Sequence, residues 1–391
     1  MDNVQNKSKK KKEESKLFCV EDYEKLAQKV MDPLARSYYG YGNERGWCLR
    51  DSVQAFSRYR IRSRALKDVS HRTLSTTVLG QSIPYPIGVA PTGNHVMVHP
   101  DAEKATAKGA VAAGALLIHA VDSNETIADV AASAPGGLRW MQIYMFRDRQ
   151  LTEHIVRETE RAGYKAVVVA VDSPCSGLSP KLLDMFNTNG LDHPKYCMRN
   201  FKADIPSFWE SRAFDDSNNF KYLYDMQFHA SATWDDIKWI RTITSLPIVC
   251  KGILSAESAK EAAGAGVDGV LVSAHGGRQL DGAPAPIDAV AEVVDAVRGS
   301  GIEVYMDGGI RTGTDVFKAL GRGARAVFVG RPILWGLACQ GSKGVENILE
   351  ILVKEFDKAL AISGCTSPEG IPPGMVVHES YYHHNNMQSK L

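Results

Sequence analysis

The chain has almost no net charge. Its 391 residues carry 46 Lys and Arg against 45 Asp and Glu, +1 in all. Neither a nucleic acid nor an anionic membrane is therefore an expected partner, because both call for a basic patch or stripe. A paired-cysteine pattern is also missing. The seven cysteines (Cys19, Cys48, Cys175, Cys197, Cys250, Cys339 and Cys365) are odd in number and include no C-x-x-C. This argues against a disulfide framework, fits a reducing compartment and gives no reason to expect a metal. No signal peptide is read at the N-terminus. The longest apolar runs, such as residues 110–120, fall well short of the roughly 20 residues a membrane helix needs. What remains is an ordinary globular composition, 44% hydrophobic and 23% charged, with ample material for one large domain.

The most informative stretch is VSAHGGRQLDGAPAPI, residues 272–287. It follows an apolar run that reads as a buried strand and precedes an amphipathic run, residues 289–297, that reads as a helix. His275 and Arg278 thus sit in a βα loop, where parallel α/β folds place their chemistry. A histidine can take a proton, and the planar fork of an arginine can hold a carboxylate. Together they suit proton removal from a hydroxy acid.

Eight short apolar runs recur, at residues 86–90, 116–120, 139–144, 166–171, 247–250, 269–272, 303–306 and 326–329. Helical patterns separate most of them, for example residues 148–162, which close at Gly163. Near-continuous apolar strands alternating with helices predict a parallel sheet, and eight such units predict an α/β fold of the (β/α)8 TIM-barrel type. Residues 20–54 read as N-terminal helices, and residues 345–362 as a closing helix. The fourth and fifth runs are unusually far apart, so a long loop follows strand four, as lids and interaction surfaces often do. Domain bounds follow: a charged, disordered tail over residues 1–19, a barrel over 20–365, and a C-terminal tail over 366–391. The last three residues, Ser389, Lys390 and Leu391, form a tripeptide read by the peroxisomal import receptor, so the expected location is the peroxisome.

Polar residues gather at the C-terminal ends of the runs. In order they are Pro91, Thr92 and Gly93; Gln142 and Tyr144; Asp172; Lys251; Ser273, His275 and Arg278; Asp307, Gly309 and Arg311; and Gly330 and Arg331. Such a set predicts one shared site at the barrel mouth. The last two loops are Gly-rich with one arginine each. Barrels commonly bind phosphate there, with backbone N–H groups approaching the anion and Arg adding forked bonds.

The block from Ser273 to Asp281 resembles the signature S-N-H-G-x-R-Q-L-D of the FMN-dependent α-hydroxy-acid oxidases and dehydrogenases, with Ala274 in place of Asn. Tyr38-Tyr39, residues 55–58, 142–144, 171–174 and 245–252 match as well. The resemblance implies an FMN cofactor, a 2-hydroxy acid substrate with O2 as acceptor, and a homotetramer. It implies that His275 is the catalytic base, paired with Asp172. Arg278 and Tyr38 would clamp the substrate carboxylate, and Tyr144 would lie near its hydroxyl. Lys251, Gln142 and the backbone of Thr92 and Gly93 would meet the flavin ring, while Pro91, Ser273, Asp307, Gly309, Arg311, Gly330 and Arg331 complete the cofactor site.

The pattern breaks at four places. Ala120 stands where the family has Ser, Asp122 where a bulky residue is usual, Ala170 where Thr is usual, and Ser179 where an Arg reaches the substrate carboxylate. Asp122 either adds polar space for the substrate or turns to pair with His119 or a lid residue. The main reading is an oxidase of a (S)-2-hydroxy acid that yields a 2-oxo acid and hydrogen peroxide. The alternatives are an FMN enzyme of the same fold acting on a larger or more polar substrate, one performing a decarboxylative oxidation, and a relative without turnover.

Overall fold

The computed structural model describes residues 17–177, 199–201 and 228–382. Ser179, the C-terminal tripeptide and most of the N-terminal tail lie outside these residues. Twelve strands are present among the described residues: β1 (Tyr59–Ile61), β2 (Thr76–Val78), β3 (Gln81–Ile83), β4 (Ile87–Val89), β5 (Leu117–Ala120), β6 (Arg139–Tyr144), β7 (Val167–Ala170), β8 (Ile248–Ile253), β9 (Gly269–Val272), β10 (Glu303–Asp307), β11 (Ala326–Val329) and β12 (Val376–His378). Strands β4 to β11 are parallel and close on themselves, β11 pairing with β4, to form the expected eight-stranded barrel.

The barrel strands are buried on both faces, which explains their unbroken apolar character. One face fills the barrel. Leu116, Ile118, Val168, Val249 and Leu271 pack there with Trp140, Tyr305 and Phe328, whose rings contact each other at 5.4 to 5.9 Å between centroids. The β2–β3 hairpin adds Val78 and Ile83 to this same core. Its Leu79 N–H donates to the carboxylate of Glu303, the first residue of β10. The hairpin therefore closes the N-terminal end of the barrel. The other strand face carries Met141, Ile143, Val167 and Val169 against the surrounding helices.

Those helices are α1 (Val20–Val30), α2 (Pro33–Gly40), α3 (Trp47–Gln54), α4 (Ala102–Ala113), α5 (Ile127–Ser133), α6 (Arg149–Arg161), α7 (Trp234–Ile243), α8 (Ala256–Gly264), α9 (Pro286–Ala296), α10 (Gly313–Gly321) and α11 (Arg331–Ser363). Their limits follow from side-chain capping. The Asp148 carboxylate accepts from the Gln150 and Leu151 N–H groups to start α6, which buries Leu151, Ile155 and Val156.

Two expectations change. The expected closing helix is preceded by a further helical segment from Arg331, the two separated within α11 by a break at Gln340 and Gly341, the latter at φ 60°. Gly336 and Gly344 sit backbone to backbone across this break, so close that a Cβ on either would collide with the other. The chain beyond residue 365 also continues the folded body. β12 pairs antiparallel with β1, and Ile371, Met375 and Val376 join the core. No helix of the described residues is long and apolar enough to cross a membrane.

Candidate active site

The strand ends converge on one cavity of about 1270 Å3 of space between atoms, part of it open to solvent. Tyr38, Pro91, Thr92, Gly93, Asp122, Gln142, Tyr144, Lys251, His275, Arg278, Asp307, Gly309, Arg311, Gly330 and Arg331 all line it. Asp172 and Ser273 stand behind its wall, each bonded to a residue that faces it: Asp172 to the His275 ring, and the Ser273 hydroxyl to the His275 N–H at 3.1 Å.

The histidine is held by its loop as much as by its partner. His275 has φ 53°, and Gly276 and Gly277 follow at 64° and 72°. A non-glycine residue in this left-handed region carries roughly 1–2 kcal/mol of strain, so remote segments must hold it there. The Gly277 carbonyl accepts from Asn43 N–H at 2.8 Å. The Asp281 carboxylate accepts from the backbone N–H groups of Arg45, Trp47 and Cys48 at 3.1, 3.2 and 2.8 Å. It thereby supplies the anionic cap at the start of α3 that its own neighbour Gly46 cannot. At Gly277 a Cβ would lie 2.6 Å from the Leu49 nitrogen, so α3 presses directly on the loop.

His275 Nδ1 lies 2.9 Å from Asp172 Oδ1. Burial by itself would raise the Asp172 carboxyl. The positive charges of His275 and Lys251, and hydrogen bonds from His275 and Ser173, outweigh burial and bring it down to about 2. Asp172 is thus an anion at any working pH. It fixes the ring with Nδ1 protonated and leaves Nε2 as the basic nitrogen. A residue not anticipated from sequence makes room for this pair. Gly252, at φ 107°, sits where the β8–β9 register slips, and a Cβ there would lie 2.5 Å from Asp172 Cβ and Cγ.

Beside this pair, the Tyr144 ring stacks parallel to the His275 ring at 6.2 Å, their planes 7° apart. The Arg278 guanidinium lies 4.6 Å from the Tyr38 ring centre and donates to the Tyr38 carbonyl. Lys251 Nζ stands 3.9 Å from Asp307 Oδ2, both side chains nearly inaccessible. Tyr39, the second tyrosine of its pair, donates its hydroxyl to the Gly93 and Asn94 carbonyls. Its own carbonyl accepts from Arg331 Nε at 2.6 Å. His119 turns away from Asp122: its Nδ1 meets the Tyr164 hydroxyl at 2.9 Å, while Asp122 faces the cavity.

The residues present fit FMN. Arg331 opens α11, so an anion there meets both a guanidinium and a helix N-terminus. Arg331 is buried with Arg278 and Arg311 nearby, which together push its guanidinium down to about 9, so the three arginines concentrate positive charge at this end of the cavity. Gly308 and Gly309, at φ 90° and 78°, expose backbone beside it. Gln142 Nε2 is buried at the cavity without a hydrogen-bond partner among the described residues, a donor aimed at a polar ring edge.

Comparison with known proteins agrees with this geometry. The chain is 44% identical to 2-hydroxyacid oxidase 1 of Mus musculus over 361 residues, 92% of this chain and 96% of that one. It is 42% identical to a peroxisomal (S)-2-hydroxyacid oxidase of Arabidopsis thaliana over 362 residues, covering 90% and 94% of the two chains. Among solved structures it superposes on a soluble mutant of the membrane-associated (S)-mandelate dehydrogenase of Pseudomonas putida with a TM-score of 0.83, at 32% identity over 93% of this chain and 100% of that one. Residues 27–378 match the family model described as FMN-dependent dehydrogenase, and the chain belongs to that family.

Proposed function

We infer that the protein is an FMN-dependent oxidase of (S)-2-hydroxy acids, with O2 as the acceptor and a 2-oxo acid and hydrogen peroxide as products. The observation that carries this reading is the 2.9 Å His275–Asp172 pair at a cavity that also holds Arg278, Tyr38 and Tyr144. Arg278 binds the substrate carboxylate with Tyr38 beside it, which places the α-hydroxyl by Tyr144 and His275. His275 Nε2 takes the hydroxyl proton, and Asp172 stabilises the resulting imidazolium. Bound FMN would supply the acceptor for the α-hydrogen and its electron pair, the two electrons and two protons leaving on O2 as hydrogen peroxide. Lys251 would set a positive charge beside the flavin ring, while Arg311 and Arg331 would hold its phosphate.

The substrate is larger or more polar than glycolate. Asp122 on the cavity wall motivates this, since the family resemblance puts a bulky residue at that position. A peroxide-coupled screen of glycolate against longer, hydroxylated and amino-bearing 2-hydroxy acids tests both statements. No peroxide from any of them rejects the oxidase reading. Glycolate as the best substrate by kcat/KM rejects the larger substrate.

The C-terminal tripeptide supports a peroxisomal location, and the Arabidopsis relative carries that location in its name. A full-length fluorescent fusion found outside peroxisomes would contradict the location, and one that stays in peroxisomes after loss of Leu391 would contradict the role of the tripeptide. The family resemblance supports a homotetramer, to be checked by sedimentation.

A further inference from the structure

Behind β5, on the side away from the barrel interior, lies a small cavity between that strand and α4. Its polar lining is Thr92, His95, Glu103, Thr106 and His119. It leaves about 10 Å3 for the centre of a water molecule, room for one. Ala90, Thr92 and Ala120 line both this cavity and the flavin cavity, so the wall between the two is one residue thick.

The hydrogen bonds define what this space takes. The Tyr164 hydroxyl donates to the Ile127 carbonyl at 3.3 Å and so accepts from His119 Nδ1–H at 2.9 Å. That leaves His119 Nε2 as a bare acceptor, buried and with no hydrogen-bond partner among the described residues. Burial first, with the charge of Arg139 adding to it, pushes the His119 ring down to about 3, so it stays neutral and its lone pair remains. A buried acceptor needs a donor. His95, also kept neutral by burial at about 4, joins the two sides. Its Nε2 is 2.7 Å from the Thr92 hydroxyl, and its Nδ1 is 2.9 Å from the Thr106 hydroxyl. Glu103, one turn before Thr106 on α4, accepts from the His95 and Asn124 N–H groups and ties the loops after β4 and β5 together.

We propose that this cavity is a fixed binding site for one water molecule, which donates to His119 Nε2, and that this water and His95 together hold the Thr92 hydroxyl on the rear side of the wall, and with it the Thr92 backbone that faces the flavin cavity. His95 and His119 are then positioning residues for the cofactor, acting through Thr92 from outside the barrel.

A crystal structure of the FMN-bound protein should show a water within hydrogen-bond distance of His119 Nε2. His119→Leu should remove that water, weaken FMN binding by about 2- to 10-fold and shift the visible flavin band. His119→Gln, which keeps a polar atom in the space, should recover most of both. His95→Leu, which cuts the link to Thr92, should resemble His119→Leu. Absence of water at Nε2 overturns the site. Water present, but with His119→Leu or His95→Leu lowering only Tm and leaving the FMN Kd and the band at their wild-type values, overturns the positioning role. If a leucine variant does not fold, His119→Met and His95→Met, which fill the space without a ring nitrogen, carry the same two readouts, and no change in either readout overturns the role. A wild-type protein that binds no FMN at all would instead count against the cofactor assignment.

Discussion

The two walls of the flavin cavity differ in how their polar groups are held. On the β8–β11 wall the ionisable side chains face the cavity, and two of them, His275 and Arg331, are supported by distant segments. His275 rests on Asp172 and on a loop pinned by Asn43 and Asp281, and Arg331 rests on the carbonyls of Tyr39 and Tyr41. On the β4–β5 wall the surface facing the cavity is mostly small or backbone, with Ala90, Gly93 and Ala120. The polar groups His95, Glu103 and His119 stand one layer behind. The first wall has the groups to which the proposed function gives proton transfer and anion binding. The second can change shape and polarity without disturbing them, and it holds Asp122 and Ala120, two of the departures from the family pattern.

The largest test of that contrast is His275→Ala. It should slow flavin reduction by a 2-hydroxy acid about 100-fold or more while FMN stays bound, read by anaerobic stopped flow. Unimpaired reduction would move the base elsewhere. Next, Arg311→Ala on the same wall should weaken FMN retention about 10- to 150-fold, the loss of one charge-assisted bond of roughly 1.5–3 kcal/mol, measured by equilibrium fluorescence. Asp122→Ala on the second wall should alter the ranking of substrates by kcat/KM and leave FMN affinity within about 3-fold of wild type. An unaltered ranking would separate Asp122 from substrate choice.

The smallest effect is one of pH. Burial, working against backbone hydrogen bonds, pushes the Glu103 carboxyl from 4.5 up to about 7. Between those values the folded chain holds a proton that the unfolded chain has lost. Its stabilising contribution is therefore complete below pH 4.5 and is lost as pH rises through about 7, at a slope of up to roughly 1.4 kcal/mol per pH unit. Glu103→Gln should flatten the fall in stability over that range, as read by denaturant titration. Asp172 has the opposite sign. Its contribution is present above pH 3.8 and is lost only as pH falls through about 2, so it leaves the slope near neutrality unchanged.

The barrel was legible because a strand buried on both faces must be apolar throughout. The runs at 139–144, 269–272 and 326–329 match β6, β9 and β11 residue for residue. The β2–β3 hairpin was not legible: three-residue strands with mixed polarity, such as Gln81–Ile83, leave no periodic signal. At the site, His275, Arg278 and the two phosphate-side arginines stood out because each follows an apolar run. Gly252 did not, since its role lies in a positive φ and in the nearness of a side chain 80 positions earlier. Neither did the job of Asp281, whose partners are 233 to 236 residues away. The pairing of His119 with Tyr164 rather than Asp122 depends on strand-face alternation, with His119 on the helix side of β5 beside Ile118 on the barrel side.

The Asp281 contact also sets an order of events. The loop that carries His275 is tied in its left-handed turn by residues 45–48, 233 to 236 positions before Asp281. Contacts of such separation form late, once the loop-closure entropy has been overcome. A nascent or clipped chain could therefore complete its barrel strands and still lack a set catalytic histidine. Activity would then report on finished folding, because it needs residues 45–48 docked on the loop after β9.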